Sequence, residues 1–415
     1  MEKFKTNQPF NQSIHLKTQR DKLWTSSFIN ACIGNFLLFY AFYLLVPVFP
    51  LYLIEKYEAS KSLVGLILSS YTIAALLIRP FAGFILDMVY RKPVYLIAYL
   101  LFVLTFVGYP IANTIGLFLF FRILHGFTFG FVTTAGNSLV IDIMPPSRRG
   151  EGLGYFGVAN NLAMAVGPMT GLFLHDIYNF DVIFYTAIGI GALGFLFAST
   201  IKARNMADKN LKQPLAFDRF FLFEGFNAGF SLLLMGVPYG IVVTYIALYG
   251  KELGILSGVG VFFSLMAVGL TFSRLISGKL VDKGKLVPVI AYGTALCVIT
   301  FILLSTIKMF ENHLIISIIF YLVSLLMGVG YGLIFPAYNS LFVNLAPNNR
   351  RATASSTYMT SWDIGIGIGL VAGGWIADST GGLQLAYLAG GFAALFSFLF
   401  FVRVAGPHFN RNKLR

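Results

Sequence analysis

Three charged residues in one short loop are the first candidates for chemistry in this sequence. The segment 83–92 carries Asp87, Arg91 and Lys92, and apolar runs flank it on both sides. A loop this polar cannot lie in hydrocarbon, because its backbone groups would have no hydrogen-bond partners there. The loop therefore predicts a hairpin at one face of a membrane. At that face Asp87 would meet the positive N-terminal end of a neighbouring helix, and Arg91 would pair with Asp142.

Two acidic residues, Asp363 and Glu224, are predicted to lie inside apolar helices. Asp363 is about 15 Å beyond the start of its helix near Thr353, at a rise of 1.5 Å per residue, and a hydrocarbon core is about 30 Å thick. A carboxylate near the midplane predicts proton coupling, because charge there is costly and usually functional. The alternative is a structural hydrogen bond to a neighbouring helix. Glu224 lies only about 6 Å in, so coupling and an interfacial pair with Arg219 are equally expected.

Soluble-enzyme chemistry is not visible in the sequence. The five histidines are scattered along the chain, and the sequence contains no His-x-Glu or Cys-x-x-Cys motif that would predict a metal site. The sequence also lacks a glycine-rich loop followed by Lys-Ser/Thr, which is the motif that would predict ATP binding. We therefore expect no metal and no cofactor. An integral-membrane enzyme remains a remote alternative, which would need a clustered catalytic set.

The composition predicts an all-α membrane protein. The chain has 415 residues, of which 57% are hydrophobic and 11% charged. Twelve spans of about 21 residues would use roughly 250 residues. The net charge of +13 would indicate nucleic-acid binding in a soluble protein, but excess Lys and Arg in a membrane protein belong to cytoplasmic loops. Of the 30 such residues, 23 fall in segments predicted inside and four in segments predicted outside. We therefore expect a protein of the plasma or inner membrane with both termini in the cytoplasm. Its expected partner is the lipid bilayer, and nucleic-acid binding is not expected.

An internal repeat divides the predicted helices into two lobes. One set of residues recurs at a shift of 195: Arg79, Gly83 and Asp87 correspond to Arg274, Gly278 and Asp282. A second set recurs at a shift of 202, in which Asn137-Ser138-Leu139 corresponds to Asn339-Ser340-Leu341. Parallel repeats of this kind build two-lobed secondary transporters. The predicted parts are a cytoplasmic segment 1–26, a six-helix lobe 27–202, a linker 203–219, a second six-helix lobe 220–404 and a cytoplasmic tail 405–415.

Four motifs resemble those of the major facilitator superfamily, and of its twelve-helix drug:proton antiporter group in particular. The loop 83–92 is similar to G-x-L-a-D-r-x-G-r-k, with Met88 and Tyr90 in place of the usual Arg and Gly. The other three are the Pro47–Pro50 pair on helix 1, Arg122-x-x-x-Gly126 on helix 4, and Gly167-Pro168-x-x-Gly171 on helix 5.

The resemblance implies roles for several of these residues. It implies a cytoplasmic gate formed by Asp87, Arg91, Lys92, Asp142 and the repeat residue Asp282. It also implies that Arg122 takes part in proton transfer, and the alternative is that Arg122 snorkels to the outer surface. His125 is expected to be a packed residue. The helix 5 motif implies export, since superfamily symporters generally lack it.

The same resemblance implies that helices 1, 4, 7 and 10 line a central substrate cavity. The expected lining residues are Asn35, Tyr40, Asn137, Asn227, Tyr239, Tyr338 and Asn339, with Asn161 and Asp363 from helices 5 and 11. Glycines spaced by four predict close helix packing: Gly167 and Gly171, next to Pro168, on helix 5, and Gly365, Gly369 and Gly373 on helix 11.

These expectations converge on a secondary active transporter that exports a small amphiphilic organic molecule in exchange for protons. The 43 Phe and 21 Tyr favour an amphiphilic cargo over a bare ion. A proton-coupled importer of the same fold is the main alternative. The protein is expected to act as a monomer.

Overall fold

A computed structural model describes residues 22–145, 148–203, 221–255, 258–347, 350–379 and 382–414. Within these ranges the regular structure is helical, and no strand occurs. Apart from Ala203, the predicted linker 203–219 lies outside the described residues, as does most of the N-terminal segment.

The first lobe consists of six helices with polar N-terminal caps on several of them. Thr25, Ser60, Thr114 and Asn179 each accept a hydrogen bond of 3.2 Å from a backbone N–H in the first turn, which satisfies a donor that the helix itself leaves free. Helix 1 is interrupted near Pro47. The bounds are α1a Ser26–Leu45, α1b Val48–Tyr57, α2 Lys61–Met88, α3 Arg91–Ile111, α4 Ile115–Ile143, α5 Arg149–Ile177 and α6 Phe180–Ser199.

The second lobe repeats this plan. Its helices are α7 Phe226–Glu252, α8 Gly260–Asp282, α9 Leu286–Thr306, α10 His313–Leu345, α11 Arg351–Ser379, α12a Leu383–Phe400 and α12b Gly406–Asn412. The sequence ended this lobe at residue 404, and the structure corrects that boundary. A π-helical turn, Phe401–Ala405, carries helix 12 on to Asn412. The added segment is packed, because Phe409 is buried and the Leu414 N–H donates to the Asn344 carbonyl at 2.9 Å.

Both lobes share one packing pattern. In the first, α1a packs on α5 and α6, α4 packs on α2 and α3, and α3 packs on α6. In the second, α7 packs on α11 and α12a, α10 packs on α8 and α9, and α9 packs on α12a. The neighbours correspond helix for helix, which confirms two pseudo-symmetric six-helix lobes. The lobes meet mainly along α2 with α11 and α5 with α8.

Ten of the described helical segments are long and apolar enough to cross a membrane. The two long helices outside that set are α5 and α11, of 29 residues each. These are the helices that carry the glycine series and the polar residues Asn161 and Asp363. Their polar character fits their place at the lobe interface, where each contacts the opposite lobe.

Candidate functional site

An ion pair joins the two lobes. Arg79 on α2 donates through Nη1 to Oδ2 of Asp363 on α11, and both side chains are about three-quarters buried. The sequence singled out Asp363 but used Arg79 only as a marker of the repeat. The missed signal was the charge balance, because Asp363 needs a partner at this depth and Arg79 is one of the few cations inside the predicted helices.

Aromatic side chains from both lobes surround this ion pair. The Trp362 ring lies 4.9 Å from Tyr239 and 4.8 Å from Phe335. The Tyr239 hydroxyl reaches across the lobe interface to Sδ of Met164 on α5, at 3.3 Å. Tyr43 of α1a lies near both Tyr239 and Asp363. We call these five aromatic and charged residues around the interface, Tyr43, Tyr239, Phe335, Trp362 and Asp363, the central cluster.

A second arginine, Arg274 on α8, borders the central cluster without an ion-pair partner among the described residues. Its guanidinium carbon lies 5.7 Å from the centre of the Phe335 ring. Tyr43, Tyr239 and Tyr358 also lie near it. Its Nε is buried and has no hydrogen-bond partner in the described part of the chain. The aromatic faces give this cation only partial compensation.

A third arginine, Arg122 on α4, is buried in the first lobe, with 4% of its surface exposed. Its guanidinium carbon lies 4.7 Å from the Phe49 ring centre and 4.5 Å from that of Tyr71. The snorkelling alternative is therefore wrong, because the rings hold the side chain inside the lobe. His125 is fully buried, and its Nδ1 lies 2.7 Å from the Tyr109 hydroxyl, as a packed residue would.

Arg91 and Asp142 form the ion pair that the sequence suggested. Nη1 of Arg91 lies 2.7 Å from Oδ1 of Asp142, and the pair ties the start of α3 to the end of α4. Lys92 follows in the first turn of α3 and is partly exposed. The side chains of the other two gate candidates, Asp87 and Asp282, lie outside the described residues, so the expected contact of Asp87 with the start of α11 stays a prediction.

Glu224 lies at the very start of its helical span, contrary to its expected place clear of the helix ends. It belongs to the 3₁₀ turn Phe223–Gly225 that precedes α7. About half of its side chain is exposed, and Oε1 lies 3.6 Å from Nη1 of Arg350. Its observed ion-pair partner is therefore Arg350, and a role for Glu224 in proton coupling stays a prediction. Arg219, the partner expected from the sequence, lies outside the described residues.

Two of the expected cavity residues belong instead to lobe interiors. Asn35 donates to the Phe156 carbonyl at 3.3 Å, between α1a and α5. Tyr338 is fully buried, and its hydroxyl lies 2.7 Å from that of Ser231. Their prediction as cavity residues is wrong, because each side chain points to a helix of its own lobe.

The other cavity candidates divide into three groups. The Tyr40 hydroxyl lies 3.1 Å from Oγ1 of Thr170, also between α1a and α5. Tyr239 lies in the central cluster. The remaining candidates are all at least partly exposed: Asn137 and Asn339, which are exposed, and Asn161 and Asn227, which are half-buried.

The glycine series lie where helices of the same lobe make their closest approach. A Cβ at Gly167 would lie 2.7 Å from Cβ of Tyr43 on α1a, and one at Gly171 would meet the Leu44 carbonyl. In the second lobe a Cβ at Gly365 would lie 2.9 Å from Cα of Gly236 on α7. Gly369 and Gly373 continue along the same face of α11, against Val237 and Ile241. Pro168 is buried within α5.

Polar contacts between the lobes close one end of the bundle, and we call it the closed end. Asp378 of α11 accepts hydrogen bonds from the backbone N–H groups of Lys61 at 3.2 Å and Ser62 at 2.7 Å. Asp176 of α5 accepts from the Gly258 N–H at 3.3 Å. The Lys61 ammonium lies 2.9 Å from Glu252 of α7. A second ion pair between the lobes joins Lys251 to Glu55 at 2.8 Å.

Beyond the level of Arg79 and Arg274 the described residues show no close contact between the lobes at Gly83 and Gly278, and we call this the separated end. Gly83 is one turn past Arg79 on the same face of α2, and Gly278 is one turn past Arg274 on α8. Among the described residues, no atom of a neighbouring element lies within 4 Å of a Cβ built at either glycine. The Arg79–Asp363 pair thus lies where interlobe contact gives way to open space.

An apolar groove runs beside this ion pair between α2 and α11. Its volume is about 470 Å³, and Ile73 and Trp375 on its rim are 56% and 64% exposed on the outer surface of the bundle. Its wall includes Ser69, Thr72 and Leu76 of α2 and Asp363, Gly367 and Val371 of α11.

The sequence matches the Major Facilitator Superfamily over residues 31–370, and again over residues 314–414. The chain belongs to this superfamily. It is therefore a multi-pass membrane transporter of small molecules rather than an enzyme, as the sequence motifs predicted.

Relatives and solved structures cover nearly the whole chain. The quinolone resistance protein NorA of Staphylococcus aureus is 23% identical over 356 residues, which are 83% of this chain and 88% of that protein. The staphylopine export protein of the same organism is 21% identical over 359 residues, or 84% and 89%. The crystal structure of the peptide transporter POT in complex with sulfate matches with a TM-score of 0.78 at 16% identity, covering 94% of this chain and 96% of that one.

Proposed function

We propose that the protein exports a small amphiphilic organic molecule across the cell membrane in exchange for protons. The observation that carries the proposal is the Arg79–Asp363 ion pair, the interlobe contact at the boundary between the closed and separated ends. A transporter of this architecture works by rocking its lobes around a central site. An ion pair across that boundary couples a carboxylate directly to the rocking motion.

Protonation of Asp363 is the proposed coupling step. A charged carboxylate holds Arg79 through a charge-assisted hydrogen bond, and this bond weakens when the carboxylate is neutral. Proton binding would therefore favour separation of α2 from α11, and proton release would favour their closure. In this scheme residues 27–202 and 220–404 move as the two bodies, joined by the linker 203–219. Arg122 is a further candidate in the proton path because it is a buried cation beside Tyr71.

The distribution of positive charge supports an orientation for this cycle. Loops rich in Lys and Arg are cytoplasmic in membrane proteins, and those of this chain lie at the separated end. Both termini would then be cytoplasmic, the closed end would face outward, and the central cluster would be open to the cytoplasm. Asp87, Arg91, Lys92, Asp142 and Asp282 are the proposed gate that forms when this end closes.

Three further features support an exported, amphiphilic cargo. The two staphylococcal relatives are an export protein and a drug-resistance protein by name. The Gly167-Pro168-x-x-Gly171 motif resembles that of superfamily antiporters. The groove beside Asp363 has almost wholly apolar walls, which suits a molecule with a large apolar body.

A comparison of metabolites between cells and medium tests the direction and the cargo together. Cells that produce the protein should enrich at least one organic compound in the medium, relative to cells that produce Asp363→Asn at equal membrane abundance. The enrichment should collapse when a protonophore removes the proton gradient. Depletion of a compound from the medium instead would identify an importer and overturn the proposal.

A further inference from the structure

Among the described residues, Arg274 is a cation without the counter-charge that its repeat equivalent has. Arg79 and Arg274 are equivalent in the internal repeat at a shift of 195, and Asp363 is equivalent to Asn161 at a shift of 202. Arg79 has its carboxylate across the lobe interface. At the equivalent interface, between α5 and α8, the chain supplies an amide where the other interface has an acid. An amide can accept a hydrogen bond but cannot neutralise a guanidinium.

The closed end shows that the two interfaces share one register. Asp378 accepts from backbone N–H groups at the start of α2, and its repeat mate Asp176 accepts from the Gly258 N–H just before α8. Asp363 lies fifteen residues before Asp378, and Asn161 lies fifteen residues before Asp176. Ser62 precedes Arg79 by 17 residues and Gly258 precedes Arg274 by 16, so Asn161 lies within about one residue of the level of Arg274 on the facing helix.

The interior of the bundle consequently carries a positive charge imbalance. Arg79, Arg122 and Arg274 lie in the middle of described helices, and Asp363 is the carboxylate that accompanies them there. A buried charge without a partner is costly, and such a charge inside a membrane protein marks a functional site by default. Arg122 is enclosed by Phe49 and Tyr71, whereas Arg274 borders the separated end. Arg274 is therefore the cation available to a ligand.

We infer that Arg274 binds the carboxylate of an anionic cargo, an organic acid with an aromatic or other flat apolar body. A guanidinium presents a planar fork of donors that matches a carboxylate in a bidentate contact. The Phe335 and Trp362 rings, 4.8 Å apart and nearly perpendicular, form an apolar wall beside it against which the body of the cargo would pack. This inference rests on the proposed function and specifies the charge of the cargo.

Matched pairs of an acid and its amide test the charge preference without knowledge of the natural cargo. The probes are benzoate, 2-naphthoate and indole-3-acetate, each against its uncharged amide, by equilibrium dialysis with the full chain in phosphatidylcholine nanodiscs. At least one acid should bind about tenfold or more tightly than its amide, the gain expected of a charge-assisted contact. Equal binding within all three pairs, or no binding of any acid at millimolar concentration, would overturn the inference.

Two variants locate the preference at Arg274. Arg274→Gln should abolish the preference for the acid over its amide. The control variant Arg403→Gln removes an exposed cation of the π-helical turn between α12a and α12b, and it should leave the preference intact. Asn161→Asp restores the counter-charge that the other interface has, so it should also abolish the preference and raise the Tm of the ligand-free protein. A preference that survives Asn161→Asp with an unchanged Tm would show that residue 161 does not face Arg274 and would overturn the inference.

Anionic lipid headgroups also carry a charge that a guanidinium binds, so a further experiment distinguishes lipid from a cargo acid at Arg274. Phosphatidylglycerol added to the nanodiscs should not displace the acid, and displacement would assign the site to lipid and overturn the cargo assignment. Failure of this inference is distinguishable from failure of the proposed function. Acid-selective binding without proton-coupled export would contradict the proposed function alone, and proton-coupled export with no acid preference would contradict this inference alone.

Discussion

Asp378 on α11 accepts a hydrogen bond of 2.7 Å from the backbone N–H of Ser62, so a residue of one lobe caps a helix of the other. The Ser62 hydroxyl donates to the same carboxylate oxygen at 2.6 Å. A carboxylate at a helix N-terminus satisfies free donors and interacts favourably with the helix dipole. The contact thus stabilises the closed end by joining α11 to α2.

Asp378→Asn should loosen the closed end. The amide keeps a hydrogen-bond acceptor but loses the charge, so the expected cost is about 1 kcal/mol or less, and the closed population should fall several-fold. Electron–electron distances between spin labels at Glu58→Cys and Glu311→Cys would report this opening, in a background with Cys32 and Cys297 replaced. Asp181→Asn, an acid on α6 within the first lobe, is the matched control. Identical distance distributions in Asp378→Asn and the parent protein would contradict the latch.

Asp363→Asn should lose uphill transport driven by a pH gradient while it retains downhill exchange of cargo. Asparagine keeps the size and a hydrogen bond to Arg79 but cannot bind and release the proton. Proteoliposomes with an imposed pH gradient separate the two activities. Glu224→Gln is the control, since that exposed acid at the start of α7 should be dispensable for coupling. Accumulation of cargo against its gradient by Asp363→Asn would place the coupling group elsewhere.

Asp87→Asn should slow the transport cycle about tenfold or less, and membrane abundance should stay normal. The proposed reason is that the anion meets a helix N-terminus only when the separated end closes. Abundance and flux need to be measured in the same membranes. A mutant with normal flux at normal abundance would remove Asp87 from the gate.

Gly167→Leu should lower both transport and stability. A Cβ at this position already lies 2.7 Å from Cβ of Tyr43 and 2.9 Å from the Leu44 backbone nitrogen. Overpacking of this kind costs about 1–3 kcal/mol, so the Tm should drop by several degrees. Gly157→Leu on the same helix is the control, because no atom of a neighbouring element among the described residues lies within 4 Å of a Cβ there. Equal Tm values for the two variants would show that α1a and α5 are not tightly packed at Gly167.

The architecture could be predicted from the amino-acid sequence. Runs of apolar residues, loops of Lys and Arg, and the shifts of 195 and 202 were enough for twelve helices in two related lobes. These signals are local or periodic, and the membrane enforces them because a backbone in hydrocarbon must satisfy its own hydrogen bonds. The Arg91–Asp142 contact was also accessible, since both residues lie at helix ends joined by short connections.

Which side chains face which lobe could not be predicted in the same way, because it depends on how the helices pack. Each residue turns a helix by about 100°, so a small rotation or a shift in register moves a side chain from an interface into a lobe. This is why Asn35 and Tyr338 were assigned to the cavity and lie inside lobes instead. The partner of Asp363 is 284 residues away in the chain, and among the described residues Arg274 has no such partner. Both results depend on how helices pack across the lobes, which local sequence patterns do not specify.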